Sequence, residues 1–225
     1  MRKPICVIAG AGPGMGVSLA KRFARAGYTI ALISRSAPQL AAELQPKHPD
    51  VHGFAADLSN TDAIATVFQQ IQTQLGTVSV LIYNAAMVVP GFASELNPAT
   101  VLEHFRVNVL GAILCVEKVV ASMKEQRTGT ILFTGGGLSI DPNPEYASLA
   151  LSKAALRNYA LSLHRELKGH GVRVATVTVA GYIHPEDGFD PDKIADAYWR
   201  LHEEDAEADF EVLYDQAYAN QQAKA

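Results

Sequence analysis

Short apolar runs recur along this chain, each separated from the next by a stretch with helical periodicity. The runs are ICVIA, TIALIS, VHGFAA, VSVLIYN, GTILFT, VRVATVTV and FEVLY. The intervening stretches predict helices over 14–26, 37–45, 61–74, 99–124, 147–168 and 191–203. Several runs are continuously apolar, the pattern of strands that helices cover on both faces. Strands alternating with helices imply right-handed crossovers, so the expected architecture is an α/β, doubly wound parallel sheet in a three-layer sandwich. Ligands bind such sheets beyond the carboxyl ends of the strands, so the residues just after each run carry the functional information.

Composition narrows the function classes. With 225 residues, 48% of them hydrophobic and 19% charged, the chain supports one well-buried core, and residues 1–225 are expected to form a single nucleotide-binding domain. A net charge of -4 argues against nucleic-acid and anionic-membrane partners. Cys6 and Cys115 lie in apolar stretches without metal-ligand spacing. They are expected to be free thiols in a cytoplasmic protein that holds no metal. The opening ICVIAGAG is too short for a secretory segment, and no apolar run of membrane-spanning length is expected.

The first run leads through AGAGPGMG, residues 9–16, directly into a helical stretch. Gly10, Gly14 and Gly16 allow a tight turn and close approach of a phosphate, while the helix N-terminus offers unpaired N–H groups and a positive dipole end. The G-x-x-x-G-x-G spacing resembles the short-chain dehydrogenase/reductase family, with Ala9 where that family usually has threonine. The resemblance continues along nearly the whole chain. ADLSN is similar to the step whose aspartate binds adenine, which gives Asp57 and Leu58. YNAA resembles N-N-A-G and retains Asn84 and Ala85. VNVLG supplies Asn108, SKAAL supplies Lys153, and VTVAGYI resembles the stretch beside the nicotinamide, with Gly181 and Ile183. The resemblance implies a Rossmann-like fold of about seven strands and a nicotinamide cofactor held by Gly10, Gly14, Met15, Gly16, Asp57, Leu58, Asn84, Ala85, Lys153, Gly181 and Ile183.

The end of the second run selects between cofactors. An acidic residue there would pair with a ribose and repel a 2′-phosphate. This chain instead has Ser34, Arg35 and Ser36. A guanidinium and two hydroxyls suit the phosphate, so NADP(H) is expected over NAD(H).

At the chemistry end the resemblance departs from the family pattern. A family member uses a serine after the fifth strand to position a carbonyl, and a tyrosine four residues before the lysine to donate a proton. An asparagine completes the relay. Lys153 and Asn108 are present, but the tyrosine position holds Leu149 and the serine position falls at Gly136. Candidate replacement donors are Tyr146, which converges on Lys153 only if the helix begins after it, and His184. Ser139 is a candidate for the missing serine, Tyr83 and Tyr182 are expected in the cleft wall, and Lys153 can itself act through water. The segment HPEDGF is short for a substrate lid.

The reading that follows is an NADPH-dependent oxidoreductase of altered proton-donor arrangement, acting on a carbonyl, an imine or an activated double bond. The alternatives are a non-catalytic NADPH-binding sensor or partner subunit, and a lyase or isomerase. Family resemblance and the apolar excess of the stretches at 99–124 and 147–168 imply a homodimer or homotetramer.

Overall fold

The computed structural model describes residues 3–184 and 188–222. The strands are β1 (Ile5–Ala9), β2 (Thr29–Ser34), β3 (Val51–Ala55), β4 (Val78–Tyr83), β5 (Thr130–Gly136), β6 (Arg173–Val179) and β7 (Glu211–Tyr214). Between them run the helices α1 (Met15–Arg25), α2 (Ala37–Leu44), α3 (Thr61–Gln74), α4 (Pro98–Phe105), α5 (Gly111–Gln126), α6 (Ala147–Leu167) and α7 (Pro191–Glu203), and α8 (Gln216–Gln222) follows β7. All seven strands lie in one sheet, in the order β3-β2-β1-β4-β5-β6-β7, and every pairing is parallel. The expected doubly wound α/β sheet is therefore present, and its direction of winding reverses between β1 and β4.

Two apolar cores flank the sheet. Val7 and Ala9 face the layer of α3, α5 and α6, whereas Cys6 and Ile8 face that of α1, α2 and α7. All four side chains are fully buried. Successive strand residues point to opposite faces, so a strand covered on both sides is apolar at nearly every position.

The stretch expected as one helix over 99–124 is instead interrupted. A π-turn, Arg106–Leu110, separates α4 from α5. Its cause lies in what packs against it: the Tyr83 hydroxyl donates to the Val107 carbonyl, and the Asn108 amide bonds to Met87. At Gly111 a Cβ would overlap the same Tyr83 hydroxyl. Tyr83 is thus a buried structural residue, with no exposed surface, and does not line the cleft as the sequence had suggested. Contrary to the sequence expectation, the continuous segment Pro98–Gln126 is long and apolar enough to cross a membrane, with mean hydropathy 1.4 in its most apolar window. Its buried residues, Ala112, Cys115, Val116 and Val119 among them, pack in the core shared with α3 and β4.

At the amino end of the sheet, His202 bridges two layers. Its Nδ1 lies 2.9 Å from Thr130 Oγ1 and its Nε2 lies 2.6 Å from the Tyr28 hydroxyl. The rings of Phe23, Tyr28 and Trp199 surround it. Burial holds its pKa below the ordinary 6.5. Between the two values the unfolded chain binds a proton that the native state refuses, so stability is present above 6.5 and is lost as pH falls through that value. Thermal melts from neutral pH to about pH 5.5 should show a falling Tm, and His202→Gln should flatten that dependence.

Candidate active site

The carboxyl ends of six strands converge on one edge of the sheet, and each brings a residue singled out in the sequence. After β1, Gly10 has φ 90°, and a Cβ there would overlap the Ala85 backbone. Only glycine fits both the left-handed conformation and that approach. Gly16 packs against Ala11, whose Cα would lie 2.7 Å from an added Cβ. Around Gly12 and Gly14 the space is open. Helix α1 then begins at Met15 with no side-chain cap and no acidic residue in its first turn. A glycine cradle leading to an uncapped helix N-terminus is an arrangement that suits a phosphate. The Met15 side chain is buried in the core, so only its main chain is available to a ligand.

After β2, Arg35 and Ser36 are exposed, and Ser36 caps α2 without a side-chain hydrogen bond. The buried Ser34 hydroxyl has no partner among the described residues. After β3, one carboxylate oxygen of Asp57 accepts from the Ser59 amide and hydroxyl, each at 2.8 Å. Those bonds hold its pKa below the usual value, and Arg35 adds a smaller electrostatic push in the same direction. Leu58 contributes its side chain to the core. Uncapped donors, an orphaned hydroxyl and a guanidinium near a carboxylate all fit the adenosine end of a dinucleotide.

Thr134 joins the two halves of the site. The buried Tyr198 hydroxyl donates to Thr134 Oγ1 at 2.6 Å, and Thr134 donates in turn to Asn84 Oδ1 at 2.8 Å. The Asn84 amide donates to the Gly10 carbonyl at 2.9 Å. The carbonyl of the same Thr134 accepts from Lys153 Nζ at 2.7 Å. Lys153 is enclosed, and burial pulls its pKa down to about 8. The Asn108 side chain is wholly engaged: its oxygen accepts from the Met87 amide at 2.6 Å, and its nitrogen donates to Ser152 Oγ at 2.8 Å and to the Met87 carbonyl at 3.3 Å. In this arrangement Asn108 positions the loop after β4 against α6.

Leu149 is buried one turn before Lys153. A Cβ on Gly136 would meet the Lys153 methylenes at 3.6 Å, an ordinary contact. Helix α6 begins at Ala147, which leaves Tyr146 at the N-cap with φ -128° and ψ 38°. The Tyr146 carbonyl accepts the first helical bond, from the Ala150 amide at 2.9 Å, so Tyr146 stays about two turns before Lys153; it is half-buried, and its hydroxyl has no hydrogen bond among the described residues. The Ser139 hydroxyl is buried, with no partner among the described residues. After β6, Gly181 is packed under the Phe189 ring, and Tyr182, Ile183 and His184 are exposed. The His184 amide donates to the Phe189 carbonyl at 3.2 Å. Residues 185–187 of the short lid segment lie outside the described residues. Sequence reasoning missed Thr134 and Tyr198, since a threonine in a strand and a tyrosine in a helix read as packing residues.

The family model for short chain dehydrogenase matches residues 4–186. The chain belongs to the short-chain dehydrogenase family. It is 32% identical over 183 residues to the NADPH-dependent 1-acyldihydroxyacetone phosphate reductase of Saccharomyces cerevisiae, an alignment covering 80% of this chain and 61% of the yeast protein. It is also 28% identical over 181 residues to the 3-oxoacyl-[acyl-carrier-protein] reductase MabA of Mycobacterium avium, covering 80% and 67%. Among solved structures, a metagenomic short-chain oxidoreductase in complex with NADP superposes with a TM-score of 0.84 at 25% identity, over 94% of this chain and 96% of that one. The fold is also that of the alcohol dehydrogenase from Thermococcus sibiricus complexed with 5-hydroxy-NADP, with a TM-score of 0.83 at 24% identity over 96% and 98%.

The two glycine environments predict opposite outcomes. Gly10→Ala should cost about 3 kcal/mol from strain and overlap, read as a lowered denaturation midpoint. Gly14→Ala, where an added Cβ meets nothing within 4 Å, should lower the midpoint clearly less.

Proposed function

We propose that this protein is an NADPH-dependent oxidoreductase that reduces a carbonyl, an imine or an activated double bond without the tyrosine that the family ordinarily uses as acid. The observation that carries the reading is Lys153, buried beside the nucleotide cradle and anchored to Thr134, with Leu149 one turn before it. The relatives support the reaction class, because the yeast protein is named as an NADPH-dependent reductase. They do not supply the substrate, since acyl dihydroxyacetone phosphate and 3-oxoacyl carrier protein belong to those proteins by name.

The cofactor, when bound, supplies the hydride. Gly10, Gly14, Gly16 and the Met15 main chain would hold its pyrophosphate. Asp57, Leu58, Asn84 and Ala85 would line the adenosine side, and Lys153, Gly181 and Ile183 the nicotinamide side. Arg35, with Ser34 and Ser36, favours the 2′-phosphate of NADP(H) over NAD(H). For the proton, a lysine with a pKa near 8 is itself an acid suited to neutral conditions. Tyr146 is the second donor candidate, because it caps the helix that carries Lys153 and its hydroxyl has no partner among the described residues. His184 is the third, from the exposed loop after β6. The competing reading, an NADPH-binding sensor or partner subunit, draws on Leu149 and on the full engagement of Asn108.

The remaining proposals concern context. Residues 1–225 act as one nucleotide-binding domain in the cytoplasm, with no nucleic-acid or membrane partner. The exposed Leu102 on α4, Leu110 in the π-turn, Ile113 on α5 and Leu151 on α6 favour a homodimer or homotetramer.

Calorimetric titration tests the nucleotide half: NADPH should bind clearly and NADH much more weakly, with Arg35→Ala removing about tenfold of the NADPH affinity. Binding of neither nucleotide would overturn the reading. For the chemistry half, Lys153→Ala should abolish NADPH consumption. Leu149→Tyr, which restores a phenol one turn before Lys153, should raise turnover of simple ketones by about tenfold or more.

A further inference from the structure

The glycine loop between β1 and α1 is pinned from two sides. The Gly10 and Ala11 amides both donate to the Ile33 carbonyl of β2, at 2.8 and 3.2 Å. From the other side, the Asn84 main-chain amide donates to the Ala9 carbonyl at 2.7 Å, and its side-chain amide donates to the Gly10 carbonyl at 2.9 Å. The Gly12 and Gly14 amides make no hydrogen bond among the described residues, and the space around both is open. A phosphate cradle needs this division, because amides attract an anion and carbonyl oxygens repel it. Holding the Gly10 carbonyl toward β4 is as much a part of the cradle as leaving those amides free.

The hold on Gly10 depends on which way round the Asn84 side chain lies. A carbonyl can only accept, so the Asn84 nitrogen must face Gly10, and the Asn84 oxygen must find a donor elsewhere. That donor is the Thr134 hydroxyl, at 2.8 Å. A hydroxyl carries one proton. Tyr198 of α7 donates to Thr134 Oγ1 at 2.6 Å, which leaves the Thr134 proton for Asn84. Tyr198 has no exposed surface, and burial raises its pKa, so the phenol keeps its proton. Side chains from α7, β5 and the end of β4 thus form one directed relay that ends on the glycine loop. A phenylalanine would fill the same apolar core, so the hydroxyl is what a tyrosine adds at this position.

We infer that Tyr198 is a positioning residue for the nucleotide: acting through Thr134 and Asn84, its hydroxyl keeps the Gly10 carbonyl turned to β4 and the Gly12 and Gly14 amides available to a pyrophosphate. This rests on the proposed binding of NADPH. Without the Tyr198 donor, Thr134 Oγ1 keeps one bond in place of two, and the donor that orients Asn84 is no longer fixed. The nucleotide must then order the loop as it binds, and its affinity falls. Lys153 stays outside the effect, because it bonds to the main-chain carbonyl of Thr134, which side-chain changes at 134 and 198 preserve.

The experiment is calorimetric titration of the whole protein with NADPH, with a denaturation midpoint recorded for each variant. Tyr198→Phe should weaken NADPH binding about fivefold, the worth of one hydrogen bond. Thr134→Val cuts the relay in the middle and should weaken binding at least as much, and the double variant should lose no more than Thr134→Val alone. Thr134→Ser, which keeps the hydroxyl, should restore the affinity of the unaltered protein. Ile194→Val trims the same buried face of α7 without touching the relay, and should lower the midpoint while leaving NADPH affinity as it was. Tyr198→Phe keeps the ring in the core, so the inference stays falsifiable should Thr134→Val fail to fold. Undiminished affinity in Tyr198→Phe, an equal loss in Ile194→Val, or a further loss in the double variant overturns it. Failure of the unaltered protein to bind NADPH instead overturns the underlying reading, so the two failures are distinguishable.

Discussion

Thr134 is the residue on which the rest of the site depends. Its hydroxyl stands between a donor from one helical layer, Tyr198, and an acceptor at the end of the neighbouring strand, Asn84. Its carbonyl receives the ammonium of Lys153 from the other layer. A parallel sheet leaves polar backbone groups at its strand ends, and each must find a partner where water is excluded. Here the partners are the chemically active residues themselves. Satisfying the end of β5 therefore fixes the glycine loop, through Asn84 and Gly10, in the same register as the lysine.

The second constraint is electrostatic. Lys153 is buried against a carbonyl dipole, with no ion pair among the described residues, and burial makes its charge easier to lose. The walls around it are shaped by small residues: Gly136 leaves room over the lysine methylenes, and Gly137 lets the β5 loop approach Ala180.

The seam between α4–α5 and α6 shows how polar residues can be structural where they look functional. His104 Nδ1 meets Ser148 Oγ at 2.7 Å, and one turn further Asn108 meets Ser152 at 2.8 Å. All four side chains are buried. Such a ladder fixes the rotation of α6 and hence the direction from which Lys153 reaches the sheet. The π-turn at Arg106–Leu110 is part of the same device, since it presents Asn108 to both Met87 and Ser152.

The sequence by itself determined the alternation of elements, because strands buried on both faces are mostly apolar, as ICVIA and TIALIS are. It also determined where the nucleotide cradle lies, since Gly10 is required by a local backbone angle. It could not foresee the π-turn, because a 3.6-residue period looks the same whether or not Tyr83 and Asn108 pull on the helix from outside. Nor could it separate Met15 and Leu58, whose side chains enter the core, from neighbours that face the cleft. Only the tertiary structure placed Tyr146 at the N-cap of α6, put Thr134 at the crossing of the hydrogen bonds and laced the loop after β4 to the start of α6. Those features come from contacts between residues far apart in the chain, and periodicity and spacing along a single segment carry no trace of them.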